Sequence, residues 1–247
     1  MHAVEVSSRA QAHGHALVRL LSRIRGVDAP APSQSLAGRL GQWIDWRHAV
    51  ALSAALDARL VAPAGQDHAV APGDDGECAR VRAALVAAIE GDRAFTGGPP
   101  ASSAADDKDA AASELVFYRQ RYVTLQQVME GEIGRLRGRL RNRLAKREGA
   151  LGRLAGIDAV MERALGAHER ALLAPLPDLL ARHLETLHQA AQQDPHAAAQ
   201  EPVASAAVTR FRNDMRRALL AELDIRLQPS LGLLAALCAP SSESHAS

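Results

Sequence analysis

Apolar residues recur at steps of three and four along most of this chain, the period of a helix rather than of a strand. The longest stripe is Tyr118, Tyr122, Leu125, Met129, Ile133, Leu136, Leu140 and Leu144, and it resumes at Leu151, Leu154, Met161 and Leu165. Its mean step of about 3.7 residues is nearer an eleven-residue repeat than a heptad. The stripe therefore predicts a nearly straight helix packed along its own domain, not one strand of a left-handed coiled-coil dimer. This helix is expected to begin near Ser113 and to run to about Ala174, where Pro175 and Pro177 end or kink it.

Shorter stripes predict further helices. Leu17, Leu20, Leu21 and Ile24 place one over 7–26, with Gly26 as its C-cap. After a rigid turn at Asp28–Pro32, Ser33 or Ser35 caps a second helix over 35–61, whose apolar positions include Leu36, Leu40, Trp43, Ile44, Val50, Leu56 and Leu60. Trp43 and Trp46 are three apart and are expected on neighbouring surfaces of that one helix. Val81, Leu85, Val86 and Ile89 mark a helix over 77–92, and Leu179, Leu180, Leu184 and Leu187 another over 177–192. Val208, Phe211, Met215, Leu219 and Leu223 mark the last main helix over 203–227, interrupted by Pro229 and followed by a short apolar piece from Leu231 to Cys238.

The segments between read as loops. They are 62–76, a Gly-Gly-Pro-Pro and Asp-rich linker over 94–113, and a polar Ala-rich stretch over 193–202. The expected fold is all-α: an irregular helical bundle built around one long helix, with disordered linkers and a disordered C-terminal tail. The expected organisation is N-terminal helices over 1–93, including the Trp-bearing one, a flexible linker over 94–113, the long helix with the C-terminal helices over 114–238, and the tail over 239–247.

Composition supports helices. The 247 residues include 51 Ala, 32 Leu and 27 Arg against two Lys, and aromatics are only 3%, which disfavours a sheet. Cys78 and Cys238 are isolated, so neither a disulfide framework nor a cysteine zinc site is expected, and reduced thiols suit a cytoplasmic protein. Arg9, His13, Arg19 and Arg23 interrupt the N-terminal segment, so no signal peptide is expected there. No window is apolar enough to span a membrane.

Charge changes the picture more than composition does. The formal net charge is +1, but residues 134–153 carry seven Arg and one Lys against one Glu, so the rest of the chain sums to −6. The same stretch holds a repeat, GEIGRLRG at 131–138 and GALGRLAG at 149–156. On one continuous helix the glycines at 131, 134, 138, 149, 152 and 156 would fall within about 60°, opposite the Leu stripe and flanked by Arg135, Arg139 and Arg153 on one side and Arg137 and Arg141 on the other. Each helical Gly costs roughly 1 kcal/mol relative to Ala, so the helix needs its Leu face docked. The face reads either as a smooth binding surface rimmed by guanidiniums or as a solvated face filled by GC-rich coding. The charge could meet nucleic-acid phosphates, an acidic membrane, an acidic partner protein, or this chain's own acidic linkers. No aromatic interleaves with the arginines, which weakens a single-strand stacking role.

Catalytic patterns are missing. There is no GxSxG, P-loop or GxGxxG after a strand. His183 and His188 are five apart, where a metal-binding helical pair needs four, and His13 and His15 would point to opposite sides. Asp45 beside the two Trp could line a polar pocket, but helix packing by Trp is commoner. No enzyme activity, cofactor or metal is expected.

Several runs together resemble an uncharacterised proteobacterial family of unknown function. They are LGQWIDWRHAVALSAAL at 40–56, FYRQRY at 117–122, LGRLAGIDAVMERAL at 151–165, ERALLAPLPDLLARHLE at 169–185 and FRNDMRRALLAELDIRLQPSLGLLAAL at 211–237. The resemblance covers most of the chain outside the linkers. It brings no activity or catalytic residue, and it implies a cytoplasmic accessory of an envelope complex of proton-channel subunits and OmpA-like proteins. The expected function is a non-catalytic interaction or scaffold protein that binds a protein partner through the apolar C-terminal piece, the Trp helix or the basic face. Candidate partner-binding residues are Trp43, Trp46, Arg135, Arg137, Arg139, Arg141, Arg143 and Arg153. The alternative is nucleic-acid or anionic-surface binding through the basic helix.

Overall fold

A computed structural model of the protein describes residues 16–26, 35–57, 74–97, 107–147, 149–193 and 203–239. The turn at 28–32, residues 98–106 of the linker, the loop at 194–202, most of the 62–76 loop, the tail from 240, and His13 and His15 lie outside them. Among the described residues every regular element is a helix and no strand occurs, as the periodicity predicts. The helices are α1 over 16–25, α2 Leu36–Trp43, α3 Trp46–Asp57, α4 Asp74–Glu90, α5 Arg93–Thr96, α6 Asp107–Leu144, α7 Gly149–Leu173, α8 Leu176–Gln193 and α9 Val203–Cys238.

The long helix is α6, and all eight residues of its stripe from Tyr118 to Leu144 are buried. It starts six residues before the expected Ser113. Ala110–Ala112 are the best helix formers available and carry the helix upstream of Ser113. It also ends sooner than expected. Lys146 N–H and Arg147 N–H bond back to the carbonyls of Arg143 (3.2 Å) and Leu144 (2.9 Å), closing the last turn in i→i−3 fashion. Gly149 then takes φ +64°, a left-handed conformation that L-residues rarely adopt. The chain reverses there. Arg137 pairs with Asp158, Arg170 with Glu130, and Gln126 reaches the Leu173 carbonyl, so α6 and α7 form an antiparallel hairpin.

After Leu173 and a short turn, α8 begins with Pro177 in its first turn, where a missing N–H costs nothing. Arg119–Asp178 and His188–Glu114 show α8 continuing where α7 left off, along the N-terminal half of α6. The return helix α9 runs parallel to α6, since Phe211 meets Tyr118 and Glu222 meets Tyr122 and Gln126. On the other flank α4 runs antiparallel, with Glu77 at Arg139 and Arg82 at Asp224. Asp92 caps α5 through the Ala94 N–H (2.9 Å) and takes the Arg121 guanidinium, fixing that corner to α6.

Three expectations about elements change. Pro229 does not interrupt α9, which continues to Cys238. The proline removes the bond to the Ile225 carbonyl, at a cost of up to about 3 kcal/mol. Buried Leu233 and Leu237 beyond it return about 1.5–3 kcal/mol each, so docking overrides the local breaker. The second predicted helix is two: Ile44 is extended with ψ 104°, and the Asp45 carboxylate accepts from the His48 N–H (2.8 Å) to cap α3. Finally, the Trp-bearing α2 and α3 pack on α7 rather than directly beside the long helix. At the other end of the chain, Gly26 closes α1 with φ +65°, as expected of a C-cap.

Candidate functional site

The structure disperses the basic segment among carboxylates of the same chain. Arg137 grips Asp158 through Nε (2.9 Å) and Nη2 (2.6 Å), with only 13% and 11% of the two side chains exposed. Arg141, one turn later, bonds Asp158 and Glu162. Arg139 reaches across to Glu77 at 2.6 Å, and Arg143 lies 3.6 Å from the same carboxylate. Arg135 pairs with Glu132 on its own helix. Arg153 is exposed on α7. Of the four possible counter-charges the observed one is the chain's own, but it comes from helices α4, α6 and α7, not from linkers.

Part of this was readable. Arg137 and Arg141 are an i, i+4 pair, and so are Asp158 and Glu162, so each pair lies on one helix face. That the two faces meet depends on the hairpin at Gly149, which periodicity could not reveal. Glu77 comes from a distant helix and carried no signal.

The same hairpin splits the glycine ladder. Gly131, Gly134 and Gly138 belong to α6, and Gly149, Gly152 and Gly156 to α7, so they do not share one face. On α7, Gly152 is buried, and a Cβ at Gly156 would sit 3.7 Å from the Ala55 side chain of α3. The small residues there admit α3. On α6, a Cβ at Gly134 or Gly138 would meet nothing within 4 Å. Gly134→Ala should therefore stabilise the fold by about 0.5–1 kcal/mol. A thermal melt that moved downward instead would show that this backbone face is occupied.

The Trp pair also separates. Trp43 is half-buried, its ring 4.1 Å from that of His168 on α7. Trp46 is 73% exposed, and Val50 and Leu56 on the same helix are 58% and 54% exposed. Both are apolar positions of the predicted second helix, but α3 lies as an outer element on α7 and none of its residues is fully buried. Asp45 serves as a cap, and the bond from the His48 N–H holds its carboxyl below the usual value.

The histidines of α8 are not a metal pair. His183 Nε2 lies 3.1 Å from Asp214 of α9, and His188 Nε2 is 3.6 Å from Glu114 of α6. Among the described residues no group of three or more His, Cys, Asp or Glu could hold a metal ion, and no helix is long and apolar enough to cross a membrane. Cys78 is buried in the core and Cys238 exposed, with no disulfide between them.

Where α6, α7 and α9 meet, a polar network is built into the core. Glu222 is fully buried and accepts from Tyr122 Oη (2.9 Å), Gln126 Nε2 (3.0 Å) and Arg226 Nε (2.9 Å). Arg226 extends to Glu169 at 3.3 Å. Burial, then the Glu222 charge, pushes the Tyr122 hydroxyl well above its ordinary value. Every member is satisfied by another; Tyr122 and Glu222 are sealed in the core, while Arg226 and Glu169 also line an open cleft of about 370 Å³ between α6, α7 and α9.

No curated protein and no solved structure matches the chain. The family model of a protein of unknown function, DUF3348, matches residues 3–239, and the chain belongs to that family.

Proposed function

We propose that the protein is a non-catalytic helical interaction protein that binds a protein partner through the outer face of α3. The observation that carries this reading is Trp46, 73% exposed on the same helix as exposed Val50 and Leu56, and the bulkiest of the exposed apolar side chains among the described residues. Exposed Trp flanked by aliphatics is the composition of an interface hot spot. The resemblance to the proteobacterial family gives the reading its specific form, a cytoplasmic accessory of an envelope proton-channel and OmpA-like complex.

Nucleic-acid binding through α6 has less support, because Arg137, Arg139 and Arg141 already spend their donors on carboxylates. A phosphate would have to displace those pairs.

A tagged full-length chain should recover a stoichiometric partner from native cells. Trp46→Ala combined with Val50→Ala should weaken that complex by about thirtyfold or more while leaving the circular dichroism spectrum unchanged. Recovery of no stoichiometric partner, or full retention of it by the double variant, would sink the reading.

A further inference from the structure

Three arginines converge on a cleft between α1 and α9. Arg23, Arg210 and Arg217 line an open space of about 590 Å³ together with Thr209, Asn213 and Asp214. Thr209, Arg210, Asn213 and Arg217 form one ridge of α9 at helical spacing, and Arg23 faces them from α1.

The arginines of α6 are engaged by carboxylates, whereas of the three in this cleft only Arg217 has one, Asp214. The one acidic lining residue among the described residues, Asp214, is 10% exposed, with Oδ2 held 3.1 Å from His183 and Oδ1 3.7 Å from Arg217. Among the described residues Arg23 and Arg210 have no ion-pair partner. Three guanidiniums against one carboxylate give the lining a charge of +2 among the described residues. The charge of a phosphate monoester dianion matches that excess, and guanidiniums present paired donors to its oxygens. Thr209 and Asn213 add neutral donors. The space is larger than inorganic phosphate needs and falls within the range of about 300–1,000 Å³ typical of small-molecule sites.

We infer that this cleft binds the phosphate group of a small organic phosphate monoester, the ester portion lying in the remaining volume. The surface is separate from the α3 face and would operate whether or not that face binds a partner.

Calorimetric titration of the full chain at low ionic strength tests this, with inorganic phosphate, glucose 6-phosphate and adenosine monophosphate as probes and chloride at matched ionic strength as control. The expected result is saturable one-site binding, tighter for an ester than for inorganic phosphate. Arg23→Gln with Arg210→Gln should weaken it by about tenfold or more. Arg139→Gln, which touches only the Glu77 pair, should leave it unchanged. Arg210→Lys, which keeps the charge but loses the paired donors, should fall between, and it serves if the double variant does not fold. Absence of saturable binding by every probe, binding of inorganic phosphate alone, or equal affinity in the variants would overturn the inference.

Discussion

Glu222→Ala should destabilise the fold by about 3–5 kcal/mol, the largest loss expected of any single polar substitution in this protein. The carboxylate is fully buried and receives donors from three side chains on two helices. Its removal leaves the Tyr122 hydroxyl, the Gln126 amide and the Arg226 guanidinium in the core, with only Glu169 and the Leu173 carbonyl as partial substitutes. Breaking a buried pair on one side is far costlier than never having built it, because the surviving charge stays desolvated. Urea unfolding measures the loss directly, and a value below about 1 kcal/mol would mean that water reaches the network.

The same network sets an alkaline limit. The Tyr122 hydroxyl is raised well above 10.0, first by burial and then by the Glu222 charge. The folded state therefore keeps a proton that the unfolded chain gives up near pH 10. The resulting stability is fully present below that pH and is lost as pH rises through the folded value. Tyr122→Phe should flatten this slope above pH 10 while costing some stability at neutrality. Tyr118, raised chiefly by burial, contributes in the same direction.

Asp158→Ala is the second large effect, at about 2–3 kcal/mol. It is smaller than the first because Asp158 and Arg137 keep 11% and 13% of their surface in water, so solvent takes up part of the lost interaction. The carboxylate anchors Arg137 and Arg141 together and so ties α7 to α6 along the hairpin. A double-mutant cycle with Arg137→Ala should return a coupling of about 1–3 kcal/mol. This result also separates the two meanings of the basic segment. If Arg137 and Arg141 serve the fold, their loss lowers stability. If they serve phosphates, their loss leaves stability unchanged and removes polyanion binding. A coupling near zero would favour the second meaning.

What one helix does locally was legible in the sequence. The α6 stripe from Tyr118 to Leu144 has a step that matches a single buried face, and all eight positions are inside. The C-cap at Gly26 and the α7–α8 break before Pro177 followed from backbone chemistry alone. The failures share a cause. Gly149, Ile44 and Pro229 are places where local preference is weak or opposed, and packing decides. Gly149 can sit in a helix or in a left-handed turn with little difference in local energy. A regular wheel drawn through it put six glycines on one face that the hairpin divides. Pro229 disfavours a helix, yet Leu233 and Leu237 find the core only if α9 continues.

The candidate site shows the same division. From the sequence it followed that the chain is helical, that its +1 charge hides a basic segment of +7 against −6 elsewhere, and that Arg135 to Arg143 recur along one helix. What that charge meets is a matter of packing. Ion pairs act over a few ångströms, and Asp158 lies 21 residues and Glu77 62 residues along the chain from the arginines they bind. Periodicity fixes which residues share a face, because that needs only the geometry of one helix. Which faces meet depends on the turn at Gly149 and on how much apolar surface each packing buries, and that is settled by the whole chain at once.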